Sequence, residues 1–424
     1  MNNAVQTGQR NSAHPLCLTL GTCTSRYDAS PLLSERPVAI GPHLESPENS
    51  FPEPKMRRVL HVLHSLERSG MEMMLLNSAR EWNQLGYACD VLATASSPGS
   101  LVPEMRENGY GVFHIPFRSR WRYLPRLRFL GEFYRLCRSG YDVVHLHTEA
   151  GPGLVCLVAK LAGVRRIAMT PHGIFHFRGA LRLRKFCERH LIRLLGGRVG
   201  MISEAVSQCE WERFRIKGVR ISNWLDTEHF RPPSSEERAE ARRALGAPDD
   251  AFVMVSVGNC SSLKNHDAIL RALPLLSASI RPLYLHIGRE DPEGGERRLA
   301  AEMKLGERVR FAGSQADPLP YLWAADVFVM PSLSEGLGMA ALEAAASGVP
   351  MVCTRVDGLS NVAARTRWTV LVSSDAVSVA EGLAKVAAID PLERRRRGWT
   401  DSQTIRAEFP VHNGVESIVR GLYA

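Results

Sequence analysis

No apolar run reaches the about eighteen residues that a membrane-crossing helix needs. The best stretch, 153–164, is broken by Lys160. No Asp-x-Asp occurs, so that way of holding a divalent ion is missing and no metal is expected. The nine cysteines include no Cys-x-x-Cys and no paired metal spacing, which argues against a zinc ribbon or disulfide frame and for a reduced interior of small apolar thiols. No short-period repeat is present. Residues 1–54, rich in Ser, Pro, Asn and Gly, lack sustained periodicity and read as a disordered leader. The apolar patch Pro15–Leu20 is too short for a signal peptide, so a cytoplasmic protein is expected.

With 424 residues the chain is too long for one core. Apolar, β-branched runs at 59–64, 89–93, 112–115, 143–147, 167–170 and 199–202 alternate with helical segments, and a second series follows at 252–258, 283–288, 309–311, 327–330 and 351–354. This predicts an α/β chain of two Rossmann-like domains with a central cleft: 55–222, joined by the last helix at 408–424, and 223–407. Asn223–Pro233 is the expected linker.

The most informative segment is Pro331–Gly348. It reads as strand, turn, helix and strand, with Ser334 or Glu335 expected to cap the helix and Gly348-Val-Pro350 to stop it. Gly336 and Gly338 leave backbone N–H groups bare at a helix N-terminus, an anion site. Glu335 and Glu343, eight apart, are expected to lie about 12 Å apart along one helix, on either side of that site. Carboxylates so placed suit vicinal hydroxyls, with a diphosphate between them.

This spacing resembles the Glu-x7-Glu signature of the retaining GT-B glycosyltransferases of family four, and the resemblance runs from about Arg57 to Tyr423. It implies a nucleoside-diphosphate-sugar as donor substrate, an acceptor hydroxyl and no cofactor. Glu335 would hold the donor sugar and Glu343 the ribose. Gly336, Leu337 and Gly338 would offer backbone N–H groups to sugar and diphosphate. His172, in Thr170-Pro-His-Gly173, would face the sugar, and Gly70 would approach the phosphates, although Ser69 replaces the family's first glycine. Lys264 matches the family's lysine, but Asn259 stands where an arginine is usual, which leaves weaker donor binding, compensation by Arg289 or Arg355, or lost activity. Gly313 ends the strand beside the nucleobase, and Trp224 replaces a hinge glycine. One of His145 and His147 is expected on each side of its strand.

Gly336-x-Gly338-x-x-Ala341 with Asp357 also satisfies a dinucleotide fingerprint, but five residues separate the strand from the first glycine. The same residues would also suit a non-catalytic sugar- or lipid-binding homologue, or a sugar phosphorylase or epimerase. Segments 118–138 and 178–198 each carry net +6 against +9 for the whole chain. With Trp121, Tyr123, Phe129, Phe133 and Tyr134 interleaved, the first suggests attachment to an anionic membrane surface rather than nucleic acid, and with it an acceptor glycan or lipid-linked sugar presented there.

Overall fold

The structure, a computed structural model, describes residues 56–117 and 123–424, and at 123–126 the backbone only. The expected leader lies outside the described residues, as do Arg118, Arg120, Trp121 and Arg122.

Seven parallel strands make the first sheet: β1 Arg57–Leu63, β2 Tyr87–Ala93, β3 Gly111–His114, β4 Val143–Leu146, β5 Arg166–Met169, β6 Arg198–Met201 and β7 Val219–Arg220, in the order β3-β2-β1-β4-β5-β6-β7. Six form the second: β8 Phe252–Val257, β9 Pro282–Ile287, β10 Val309–Gly313, β11 Val327–Met330, β12 Met351–Thr354 and β13 Val370–Val372, in the order β10-β9-β8-β11-β12-β13. Central strands such as β8 and β11 are apolar on both faces because helices cover both sides. β7 and β13 escaped the sequence reading because they hold two and three residues, and both residues of β7 are exposed.

Strand order reverses between β1 and β4 and between β8 and β11. Ligands of open α/β sheets bind beyond the carboxyl ends of strands at such points. The segments there are the Gly70 loop, His147, the Asn259–Asn265 loop and 331–338. Two surface depressions, lined by Ala251, Arg281, Pro282 and Asp326 among others, lie instead at the amino ends of β8, β9 and β11.

The last helix, Val411–Ile418, and the π-turn Val419–Tyr423 return against the first sheet, where Tyr423 stacks on Trp82 with centroids 5.9 Å apart and its hydroxyl pairs with His145 Nδ1 at 2.7 Å. Trp224 is accommodated by Gly414, where a Cβ would fall 2.4 Å from the indole, and its Nε1 donates to the Met74 carbonyl at 2.9 Å. The departure at 224 is therefore a packed contact.

The basic segments are less uniformly exposed than their composition suggested. Lys185 and Arg189 are buried, held by Glu149, Glu188 and Glu210. Phe129 and Phe133 are core residues stacked with centroids 5.7 Å apart, so they supply no aromatic outer side. Burying two rings gains more than displaying them. Arg128, Arg135, Arg138, Arg178, Arg182, Arg184 and Arg193 remain exposed, with Leu127, Tyr134, Leu181, Leu183 and Leu194 beside them.

Candidate active site

After β11 the chain enters a loop fixed by its backbone. Leu333 N–H donates to the Leu263 carbonyl at 2.8 Å, and Asn265 Nδ2 donates to the Pro331 carbonyl at 3.1 Å. The following helix spans Met339–Ala346 with Gly338 as its N-cap at φ 86°. The expected cap at Ser334 or Glu335 is thus corrected: a left-handed Gly338 cannot lie inside a right-handed helix, so the helix starts after it. Glu335 sits in the loop, and the spacing along one helix does not apply. Ala341, Ala344, Ala345 and Ala346 are buried, which lets this helix pack closely.

Glu335 accepts from Lys264 Nζ at 2.7 Å in a partly buried ion pair. Gly358 packs on its carbonyl, where a Cβ would come to 2.4 Å. Glu343 is pushed up to about 7 by burial; Asp317 adds to this, and His229 and Lys264 oppose it. His229 Nε2 lies 3.0 Å from Asp317 Oδ1, and that bond raises the imidazole above its ordinary value. His229 and Asp317 were missed in the sequence; one lies in the linker and the other after β10, and neither sits in a motif.

Asn259 Oδ1 accepts from Arg289 N–H at 2.9 Å, and Cys260 N–H donates back to the Arg289 carbonyl at 2.9 Å. The asparagine therefore ties the loop after β8 to the end of β9. The Arg289 and Arg355 side chains are exposed and make no hydrogen bond or ion pair among the described residues. Gly313, at φ 69°, accepts from Gly288 N–H at 2.9 Å beside them.

From the first sheet, His172 abuts this loop: a Cβ on Gly336 would fall 2.4 Å from the His172 carbonyl oxygen. Ser203 Oγ, which caps the helix Glu204–Phe214, donates to the Gly336 carbonyl at 2.6 Å. Sequence reasoning missed Ser203, although a serine opening a helix after a strand is a usable cap signal. Gly70 faces Met339, and a Cβ there would fall 3.0 Å from its Cγ. Leu337 is buried beneath the turn.

His172 Nε2 pairs with His147 Nδ1 at 2.9 Å, and His147 Nε2 with His61 Nδ1 at 3.0 Å. The rings of His145 and His147 are only 4.0 Å apart, so the expectation of opposite sides fails; residues two apart share a strand face. Burial lowers His172 to about 4, leaving it neutral near pH 7. It can hydrogen-bond a hydroxyl but brings no charge to a phosphate. Glu335, Lys264, Gly336, Gly338, His172 and Gly70 thus meet at one junction between the sheets.

Comparisons with known proteins bear on the family and the fold. Residues 237–398 match the family model described as glycosyl transferases group 1, and residues 68–229 match that of glycosyltransferase family 4. A putative glycosyltransferase EpsF of Bacillus subtilis is 29% identical over 385 residues, covering 84% of this chain and 96% of that one. A D-inositol 3-phosphate glycosyltransferase of Thermomonospora curvata is 34% identical over 340 residues, covering 69% and 76%. The crystal structure of Anabaena Alr3699/HepE in complex with UDP and glucose shares the fold, with a TM-score of 0.73 at 17% identity over 86% of this chain and 99% of that one.

Proposed function

We propose that this chain, which belongs to the family-four glycosyltransferases with the two-domain GT-B fold, transfers a sugar from a nucleoside-diphosphate donor to an acceptor hydroxyl with retention at the anomeric carbon. The observation that carries the reading is the Lys264–Glu335 pair at 2.7 Å, set at a glycine turn against neutral His172. Lys264 meets the leaving diphosphate, Glu335 and His172 meet sugar hydroxyls, and Glu343 meets the ribose. As the diphosphate departs, charge grows on its oxygens; Lys264, the turn's N–H groups and the exposed Arg289 stabilise it. A departing phosphate oxygen takes the acceptor proton on the same face, so no protein base is needed. Arg289 compensates for Asn259, which supports an active enzyme over a non-catalytic homologue. Incubation with a panel of nucleotide-sugars tests the assignment. Release of one nucleoside diphosphate, lost in Lys264→Ala, is expected; no release from any donor would favour the binding-only homologue.

Because fixed cations serve the phosphates, neither magnesium nor manganese is required. Activity in EDTA is expected to be unchanged when either ion is added in excess. A manyfold gain on addition would place a metal on the diphosphate.

The acceptor is lipid-linked, and the enzyme attaches peripherally to the cytoplasmic face of a membrane. Among the described residues no helix is long and apolar enough to cross one. The helices Tyr123–Arg138 and Gly179–Leu194 both pack on the helix Pro152–Leu161 and carry exposed arginines beside exposed leucines. Each basic side chain at an anionic surface contributes about 1 kcal/mol. Replacing Arg128, Arg182 and Arg184 with Ser is therefore expected to weaken binding to anionic liposomes about 100-fold at low salt. Equal flotation with neutral lipid, or no effect of the triple change, would favour a soluble phosphorylated acceptor.

A further inference from the structure

Among the described residues, two clusters of imidazole and thiol groups could hold a cation. In His61, His145 and His147 every ring nitrogen except His61 Nε2 is already hydrogen-bonded, in chains ending at His172, Thr170 and Tyr423. Its bonding capacity is nearly used up, and it reads as support for His172.

The second cluster differs. Cys260, His266 and His286 each bring a ligand atom within 4.8 Å of the others. Cys260 Sγ lies 3.3 Å from His286 Nε2. The other nitrogen of His286 is turned to Ser256 Oγ at 3.1 Å and the Tyr284 hydroxyl at 3.4 Å, which aims Nε2 at the thiol. His266 is 4% exposed, and its buried Nδ1 has no hydrogen-bond partner. That atom faces Glu296 Oε1 at 4.0 Å. An orphaned imidazole nitrogen in a closed site is costly unless something occupies it.

We propose that Cys260, His266, His286 and Glu296 bind a thiophilic divalent cation of the zinc class. One thiolate, two imidazoles and a carboxylate are a donor set that zinc accepts, whereas magnesium and calcium prefer oxygen alone. Bonds of about 2.0–2.3 Å around a tetrahedral ion place ligand atoms about 3.3–3.6 Å apart. The Cys260–His286 contact already fits, the wider pairs among Cys260, His266 and His286 close by about 1 Å, and Glu296 approaches from the His266 side. On binding, the S–H bond breaks, an S–metal bond forms and the proton leaves to solvent through the partly exposed Cys260.

The ligands come from the loop after β8, the first residue of the helix His266–Ala272, β9 and the helix Gly295–Glu302. A bound ion would cross-link the Asn259–Asn265 loop, and hence the base of Lys264, to its neighbours. It touches no donor phosphate, so the site stands apart from the transfer reaction.

The test uses the full, untagged chain stripped of metal and titrated with cobalt, then zinc. About one cobalt per chain is expected, with a thiolate-to-metal charge-transfer band, displacement by stoichiometric zinc and a raised Tm. Cys260→Ser should abolish the band and Cys187→Ser should keep it. Ser256→Ala, which removes a partner of His286, should weaken cobalt binding about 10-fold or more. A wild-type protein that shows no band, or a band that survives Cys260→Ser, overturns the site. Should Cys260→Ser not fold, the wild-type titration with the Ser256→Ala shift decides.

Discussion

Glu335→Ala is expected to lower kcat about 10²–10³-fold while leaving the Kd for nucleoside diphosphate unchanged or slightly tighter. The carboxylate accepts from Lys264 at 2.7 Å in a partly buried pair, so it both orients the lysine and partly neutralises it. Among the described residues its side chain makes no other hydrogen bond, which leaves acceptor capacity for hydroxyls of the donor sugar in the proposed complex. Removing it lets the sugar shift relative to the leaving group, and small misplacements of reacting atoms have large kinetic effects. The free nucleotide carries no sugar and cannot sense that loss. Lys264, released from its partner, is freer to meet the diphosphate. Steady-state kinetics on the donor found by panel screening, with calorimetry of nucleoside diphosphate binding, separates the two quantities. A Kd that rises in step with the fall in kcat would mean that Glu335 anchors the nucleotide, and the assignment of the two glutamates would have to be exchanged.

The features legible in the sequence had short-range or periodic causes. The runs at 327–330 and 351–354 gave strand bounds that the structure reproduces, because buried parallel strands must be apolar on both faces. Lys264 and Glu335, seventy-one positions apart, were each legible from motif spacing, but their ion pair was not. The start of the helix after the turn was misread because Ser334 and Glu335 look like caps, whereas the conformation of Gly338 decides the matter. Lys185 and Arg189 counted as surface charge in the composition, although Glu149 and Glu210, distant in sequence, pair with them in the interior. Cys260, His266, His286 and Glu296 show no ligand spacing because three separate elements and a loop bring them together. Pairing across elements has no local signature, and both the charge burial and the cation site depend on it.

Nucleoside diphosphate should bind wild type more weakly as pH falls below about 7, and Glu343→Gln should lose that dependence. Burial holds the Glu343 carboxyl at about 7 in the folded protein against an ordinary 4.5. Between these values the folded state binds more protons than the unfolded one, so this group's contribution to stability falls as pH rises and levels off above about 7. The full cost of the buried carboxylate is at most about 3 kcal/mol, taking 1.36 kcal/mol for each unit of pKa. Glu343→Gln is therefore expected to raise the Tm of the free protein at pH 8 and to change it little at pH 4. What the fold loses, the ligand can recover, because ribose hydroxyls donate to the ionised form and replace the missing water. Two such bonds at about 1.5–3 kcal/mol each make Glu343→Ala costly, with nucleotide affinity expected to fall about 100-fold or more at pH 8. Binding then draws the carboxyl into its ionised state and releases a proton near pH 7. Calorimetry in buffers of different ionisation enthalpy reads that proton directly. The nucleotide's own terminal phosphate titrates nearby, at about 6, so the decisive quantity is the difference between wild type and Glu343→Gln. Equal proton release and equal affinity in the two proteins would remove Glu343 from the ribose and leave its partial burial as a structural feature of the helix Met339–Ala346 alone.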